Sequence, residues 1–410
     1  MKIVILAVGS ERDVRPCICL AKQLINRKHN VTLIALDSFR RYALENGADF
    51  IPYPCNDADL LNGKAPENVS DVMAYIKKIC ACDGELVRQT LYDACVGADV
   101  LLYTDKSLGM VYIGESLKIP YIRISFTPDV PTTSFCCIYR RDYGRGNIFK
   151  AIYNKLTHIS YNRRLIKIQK ATKKSWCKPL GIKNRYKLGR KYLDGSGIEN
   201  LLGYSDLVVP ECDDHKENVH VLGYFSDTSE NTYEPDSDVL EFFSKDTAFV
   251  YVDSGIAADE YENAFSTVLE AVKLAGKRAV VGGNGEMEKL PEHAFSAKDI
   301  PIGWVISRCE AVIQCGDAEL TATALAEGKP NLVLPVSNEQ IFWGNRIYER
   351  GLGPKPMNHK KLTAVAFADV IEELCSPEYT ERTEYIGKLL KAENGASRAA
   401  DFIEKEYGEQ

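Results

Sequence analysis

The chain has 410 residues, 45% of them hydrophobic and 26% charged, and a formal net charge of −6. This length accommodates two hydrophobic cores. The first apolar run, IVILAV, is too short for a secretion signal, and no stretch approaches the roughly 20 apolar residues of a membrane span, so we expect a cytoplasmic protein.

The 13 cysteines do not follow a recognisable framework. Their number is odd, the chain is large, and no export signal is present, so we expect reduced thiols. Cys17 and Cys19, like Cys80 and Cys82, are separated by one residue, and no pair has the C-x2-C spacing of a zinc site. We therefore predict buried, apolar cysteines and no metal site.

Short apolar runs alternate with helical periods along the chain. The first part predicts strands at 2–8 and 30–36 and helices at 14–28 and 38–46. Later the pattern restarts with strands at 248–252, 278–282, 310–315 and 331–335 and a helix at 260–274. This alternation is typical of a parallel, doubly wound sheet. We therefore predict an α/β protein with two such domains.

A polar segment divides the two patterns. Residues 226–238 carry Pro235 and predict a linker between a first domain at 1–225 and a second at 239–380. One final helix is predicted from Glu381 onward, within residues 381–410.

Residues 138–191 hold 17 lysines and arginines against one acid, Asp142, in a chain whose total charge is −6. Phe149, Ile152, Leu156 and Ile159 recur there at helical spacing, which predicts a basic amphipathic helix. Such charge asymmetry indicates an anionic partner: a membrane surface, an acidic protein or an acidic small molecule. A solvated face balanced by carboxylates elsewhere is the alternative. Nucleic acid is not expected, because no binding motif for it is present.

Three motifs are informative: GSERDVRP directly after the first predicted strand, TATALAEGKP at 321–330, and EQIFWG at 339–344. They resemble the loop, the Ala-rich helix and the acidic-Gln-x-Phe-Trp-Gly block of family-1 glycosyltransferases, which include bacterial natural-product and sterol glycosyltransferases. TPDVPT, YNKLTH and VYVDSGIAA resemble further segments of that family, and the matches follow its order over nearly the whole chain.

The resemblance implies the GT-B fold, in which two Rossmann-like domains face a cleft and the final segment crosses back to the first domain. It also implies transfer of a hexose from a UDP- or TDP-sugar to a hydroxyl of a natural product, sterol or lipid, with inversion. The nucleotide-sugar is a co-substrate, and no other cofactor is implied.

The loop after the first strand carries the implied general base, Asp13. A carboxylate there would take the proton from the attacking hydroxyl. The alternative is that Asp13 is the N-cap of a helix that begins at Val14. The resemblance places acceptor contacts at Thr127 and Pro128, and at Arg12, which replaces a glycine of the family.

Donor binding is implied for Gly255, Ile302, Cys315, Gly316, Asp317, Ala318, Glu319, Glu339 and Gln340. Glu339 and Gln340 correspond to the pair that holds sugar hydroxyls. The diphosphate motif departs from the family, because Cys315 replaces its histidine and Asp317 and Glu319 replace glycines. Trp304 and Trp343 are expected to be core aromatics.

The altered motif leaves more than one interpretation open. A Gly-rich turn at a helix N-terminus binds diphosphate through free N–H groups and the helix dipole. Asp317 and Glu319 would serve that helix end instead, as ordinary caps. The chain is then a glycosyltransferase, a relative that uses a differently charged donor, or a non-catalytic relative that acts as a binding or accessory module.

Overall fold

The computed structural model of the chain describes residues 1–55, 68–82, 84–104, 109–140, 148–182, 197–226, 233–244, 248–258, 263–283, 290–298, 300–361 and 363–408. The chain divides into two compact units. The first comprises Met1–Asp227 and Glu393–Gln410, and the second comprises Thr228–Ala392. Each contains helices and one parallel sheet, which confirms the predicted class of two Rossmann-like α/β domains.

The first unit alternates strands and helices. Its elements are β1 (Lys2–Leu6), α1 (Glu11–Asn26), β2 (Asn30–Ala35), α2 (Arg40–Glu45), β3 (Asp49–Pro52), α3 (Val69–Cys82), α4 (Glu85–Cys95), β4 (Val100–Thr104), α5 (Gly109–Leu117), β5 (Tyr121–Ser125), α6 (Ile148–Cys177), β6 (Asn200–Leu202) and β7 (Val219–Val221). The sheet order is β3-β2-β1-β4-β5-β6-β7, and neighbouring strands are parallel.

The second unit repeats the arrangement with five strands. Its elements are α7 (Ser237–Phe243), β8 (Phe249–Asp253), α8 (Ala264–Leu274), β9 (Arg278–Gly282), β10 (Ala294–Ser296), α9 (Ile302–Ser307), β11 (Ala311–Gln314), α10 (Ala318–Ala326), β12 (Asn331–Val333), α11 (Asn338–Glu349), α12 (Ala364–Leu374) and α13 (Pro377–Glu393). The order is β10-β9-β8-β11-β12, again parallel. A last helix, α14 (Gly395–Tyr407), belongs to the first unit.

Both faces of the first sheet are covered, which explains why β1 is a continuous apolar run. Ile3 and Ile5 join one hydrophobic core, and Val4 and Leu6 join the other. Side chains alternate between the faces of a strand, so a strand buried on both sides needs apolar residues at every position. The order places the carboxyl ends of all these strands at one edge.

The helix α14 packs against α1 in the first unit. The guanidinium of Arg27 binds the carboxylates of Asp401 and Glu404 at 2.6 and 2.7 Å. The prediction of one helix from Glu381 is wrong. The chain instead has two helices separated at Asn394, whose φ of +47° interrupts the helical path.

Some predictions fall on residues outside the described ranges. Residues 227–232 of the predicted linker are among them, and so is Glu260, where a helix was predicted to begin. Within the described part of the chain, no helix combines the length and the apolar character needed to cross a membrane.

One pair of cysteines departs from the prediction of reduced thiols. Cys55 and Cys82 form a disulfide with a Cα–Cα distance of 5.9 Å. The prediction failed because the two residues are 27 positions apart and no spacing motif marks them. Both pack against the same hydrophobic core, which brings them together. The remaining cysteines are free thiols, and most of them are buried.

Candidate active site

Asp13 lies in the first turn of α1, close after the carboxyl end of β1, and is 8% exposed. Its Oδ2 accepts hydrogen bonds from the backbone N–H of Ser10 at 3.0 Å and from the Ser10 hydroxyl at 3.3 Å. Ser10 is the N-cap of the helix, and Asp13 is its third residue. The alternative that Asp13 caps a helix beginning at Val14 is therefore wrong.

Gly9 leaves the space that the Asp13 carboxylate occupies. Its φ is +151°, and a Cβ at this position would overlap Asp13 Oδ2. Arg12 lies on the exposed side of the same turn. The loop therefore holds the nearly buried carboxylate of Asp13 close to the carboxyl end of β1, and the exposed Arg12 precedes it in the sequence.

The predicted acceptor residues Thr127 and Pro128 follow β5. In the sheet only β4 separates β5 from β1, so their carboxyl ends lie about 10 Å apart on one edge. The buried Arg123 forms an ion pair with Asp129, which ties this loop to the strand. The topology thus places Asp13 and the Thr127 loop along the same edge.

Polar contacts that the sequence did not predict hold the segment after this loop. The carboxylate of Asp214 accepts hydrogen bonds from the Thr132 hydroxyl at 2.6 Å and the Thr133 N–H at 2.9 Å. On α6, Asn154 donates to the Thr133 carbonyl at 2.8 Å, and His158 Nε2 lies 3.1 Å from the carbonyl oxygen of Phe135. The motif YNKLTH therefore contacts the residues that directly follow TPDVPT.

His158 is buried, and this burial lowers its pKa to about 4. Burial penalises the charged imidazolium more than the neutral ring. The ring is therefore neutral near pH 7, where it anchors α6 as a hydrogen-bonding group without charge.

In the second unit, the predicted donor residues lie at consecutive strand ends. Gly255 follows β8, Cys315 follows β11, and Gln340 lies in the first turn of α11, after β12. A Cβ at Gly255 would lie 3.0 Å from the sulfur of Cys315. A Cβ at Gly316, whose φ is +105°, would lie 2.8 Å from the Gln340 carbonyl oxygen. Residues that are distant in the sequence thus lie close together at one edge of the sheet.

The N-terminus of α10 already has an internal anion. Asp317 is its N-cap, and its Oδ1 accepts hydrogen bonds from the N–H groups of Glu319 at 2.9 Å and Leu320 at 3.0 Å. These N–H groups belong to the helix end at which a diphosphate would bind. The interpretation of Asp317 as a cap therefore agrees with the geometry.

A second carboxylate lies at the end of β8. Asp253 Oδ1 accepts a hydrogen bond from Gly255 N–H at 2.9 Å, and its Oδ2 accepts one from Cys315 N–H at 3.4 Å. Desolvation raises the pKa of Asp253, and the charge of Asp317 raises it further, against these hydrogen bonds. This role of Asp253 was not predicted, although Asp-Ser-Gly after a strand is a recognisable signal for an Asx-turn.

The sugar-binding pair is only partly available. Gln340 Oε1 accepts hydrogen bonds from the N–H groups of Val336 at 2.8 Å and Ser337 at 2.9 Å, so this oxygen caps α11. Glu339 is half-buried in the same turn. Of the Gln340 side chain, the NH2 group is the part that can still contact a sugar hydroxyl.

The predicted donor residue Ile302 lies at the start of α9. Ile302 is its first residue, and Trp304 packs in a hydrophobic cluster with the Arg308 guanidinium 3.6 Å from its ring centre. Trp343 is fully buried. The expectation that both tryptophans are core residues is confirmed.

The chain is similar in sequence to known glycosyltransferases. Residues 3–136 match the glycosyltransferase family 28 N-terminal domain. A sterol 3-beta-glucosyltransferase of Arabidopsis thaliana is 27% identical over 430 residues, which cover 99% of this chain and 68% of that protein. One of Komagataella phaffii is 28% identical over 433 residues, which cover all of this chain and 35% of that protein. The chain thus spans only part of the length of each of these two proteins.

Solved structures show the same fold. The glycosyltransferase of kitacinnamycin superposes with a TM-score of 0.73 at 19% identity, covering 99% of both chains. SnogD from Streptomyces nogalater superposes with a TM-score of 0.68 at 15% identity, covering 100% of this chain and 99% of its own. The predicted GT-B fold and the predicted resemblance to glycosyltransferases are thus confirmed.

Proposed function

We propose that this protein transfers a hexose from a UDP- or TDP-sugar to a hydroxyl group of a small-molecule or lipid acceptor, with inversion at the anomeric carbon. The observation that carries the proposal is the convergence of Gly255, Cys315, Gly316 and Gln340 at adjacent strand ends of the second unit. Ligands of open α/β sheets bind at the carboxyl ends of the strands.

Asp13 is the proposed general base. Its carboxylate takes the proton of the acceptor hydroxyl as that oxygen bonds to the anomeric carbon, while the bond from this carbon to the diphosphate oxygen breaks. The hydrogen bonds from Ser10 hold Oδ2, which orients the carboxylate for this step. Backbone N–H groups and a helix end would balance the charge of the departing diphosphate without a metal.

Thr127, Pro128 and Arg12 are the proposed acceptor contacts on the edge that carries Asp13. The relatives named as sterol glucosyltransferases suggest a sterol as the first acceptor to test, with natural products as the next class. An acceptor of this kind is apolar, so we also propose that the basic residues 138–191 hold the protein at a lipid surface.

The test is calorimetry with UDP and with TDP, followed by a transfer assay with UDP-glucose and a sterol. We expect saturable binding of one nucleotide and a glycosylated product whose formation requires Asp13. Absence of binding with both nucleotides at millimolar concentration would contradict the proposal and favour a binding module.

A further inference from the structure

One face of α6 combines exposed apolar and basic side chains. Phe149, Ile152 and Leu156 are 76%, 54% and 57% exposed, and their spacing of three and four residues aligns them along one side. Arg163 and Lys167 continue the same side seven and eleven residues beyond Leu156, and both are exposed. The helix contains eight lysines and arginines and no acidic residue.

The opposite face attaches α6 firmly to the first unit. Asn154 and His158 are buried and contact the segment after β5. Tyr161 stacks on Tyr139 with ring centres 5.5 Å apart, and near the other end Trp176 stacks on Tyr112 at 5.8 Å. Because both ends of the helix are held by packing, the exposed side is a rigid surface.

A groove of about 370 Å³ lies where the apolar and basic parts meet. It is lined by Leu156, Ile159, Ser160, Arg163, Arg164 and Lys167. Three cations and one hydroxyl thus surround a space whose other walls are aliphatic. Guanidinium groups bind phosphate oxygens in a forked geometry, and ammonium groups add a point charge.

We propose that this face of α6 docks on an anionic phospholipid bilayer, with a lipid phosphate in the groove and Phe149, Ile152 and Leu156 among the acyl chains. Lysine and arginine side chains by themselves would bind any polyanion. Apolar side chains aligned with cations suit a surface that offers hydrocarbon directly beside phosphate, which is the interface of an anionic bilayer. This docking rests on the surface of the first unit and does not require that the enzymatic proposal hold.

The experiment is co-sedimentation with phosphatidylcholine vesicles prepared with and without phosphatidylserine. We expect the protein to bind only the anionic vesicles and to be released by high salt. Reversing the three groove cations as R163E/R164E/K167E should lower partitioning at least about a hundredfold, since each cation contributes about fivefold. The variant I152S/L156S, which keeps the net charge of the parent, should also weaken binding, because it removes apolar side chains without changing the charge of α6.

Matched controls separate docking from general charge. The variant K273E/K388E/K405E makes the same change in net charge at exposed positions elsewhere and should bind like the parent. Asp13→Asn should also bind vesicles normally, even if it is inactive. The proposal is overturned if the parent does not bind anionic vesicles at low salt, or if R163E/R164E/K167E binds them as well as K273E/K388E/K405E does. It is also overturned if the parent binds single-stranded RNA more tightly than the vesicles. Circular dichroism checks that each variant is folded.

Discussion

The internal anion at α10 leads to a direct prediction about donor affinity. The Asp317 carboxylate accepts hydrogen bonds from the backbone N–H groups of Glu319 and Leu320. Asp317→Asn removes the charge but keeps an oxygen that can accept these bonds, whereas Asp317→Gly removes both the charge and the cap. We expect both variants to bind UDP more tightly than the parent, and the glycine variant to bind most tightly because it also frees two N–H groups.

The size of the effect follows from the geometry. A phosphate bonded to these N–H groups would lie where the carboxylate lies now, so the displaced carboxylate stays within about 4 Å of it. Two unit charges at that distance repel by about 4 kcal/mol at an effective dielectric near 20, which is about a thousandfold in affinity. Solvent screening lowers this ceiling, so we expect a gain of about tenfold to a thousandfold. Glycine is itself a tolerated N-cap, and its cost to helix stability is a few tenths of a kcal/mol.

The assay is titration calorimetry with UDP and with UDP-glucose at constant salt. Asp236→Asn is the matched control, because Asp236 caps α7 through an equivalent bond to Val239 N–H at 3.0 Å and is exposed. This control should leave UDP affinity unchanged. If Asp317→Gly is folded but binds UDP no better than the parent, the Asp317 carboxylate does not oppose the phosphate, and the assignment of α10 to the donor site is wrong.

Three further predictions concern titratable groups. Asp13→Asn should lower turnover by about 10² to 10⁴ with little change in donor affinity, whereas Glu11→Gln in the same turn should be nearly neutral, and equal turnover of the Asp13 variant would remove it from the mechanism. Because burial raises the pKa of Asp253, its carboxyl is protonated more readily than an ordinary aspartate as the pH falls. UDP-glucose should then bind more tightly at lower pH, and Asp253→Asn should remove this dependence in calorimetry. His158 has its pKa lowered from 6.5 to about 4, so the unfolded chain gains this proton first as the pH drops. Its stability contribution is complete above about pH 6.5 and falls by about 3 kcal/mol by pH 4, and His158→Gln should remove that part of the slope in denaturation experiments.

The sequence predicted the strands better than their ends. The run from 2 to 8 predicts a strand to Val8, but β1 ends at Leu6 while Ala7 and Val8 remain fully buried. An apolar run indicates which residues are buried, whereas a strand ends where its backbone hydrogen bonds to the neighbouring strands stop. The two boundaries differ where the chain remains in the core after it leaves the sheet. The helix α1 began three residues earlier than predicted because its polar first turn has no apolar period, although Ser10 and Asp13 form a visible capping pattern.

The proximity of the donor residues was predictable because parallel strands end at one edge of the sheet. Their hydrogen-bond partners were not. Gln340 keeps the residue type of the sugar-binding pair, yet its Oε1 is used by Val336 and Ser337. Asp253 is not among the predicted site residues, because its contacts to Gly255 and Cys315 depend on two strands being neighbours. Such contacts depend on the packing of distant segments and on local torsions, which residue type does not specify.

The arrangement of the donor site suggests that its affinity depends on the displaced carboxylate more than on the lost hydrogen bonds. Exchanging a carboxylate oxygen for a phosphate oxygen on the same N–H groups replaces one charge-assisted bond by another, each worth about 1.5–3 kcal/mol, so the exchange itself is nearly neutral. The carboxylate that leaves must then be solvated, protonated or neutralised by a cation. Asp317 is partly exposed and can turn to water, whereas Asp253 is desolvated and relieves its charge most readily by protonation. The two acids therefore predict different behaviour: removing Asp317 raises donor affinity by removing a carboxylate from the helix end, whereas removing Asp253 also abolishes a dependence of donor affinity on pH.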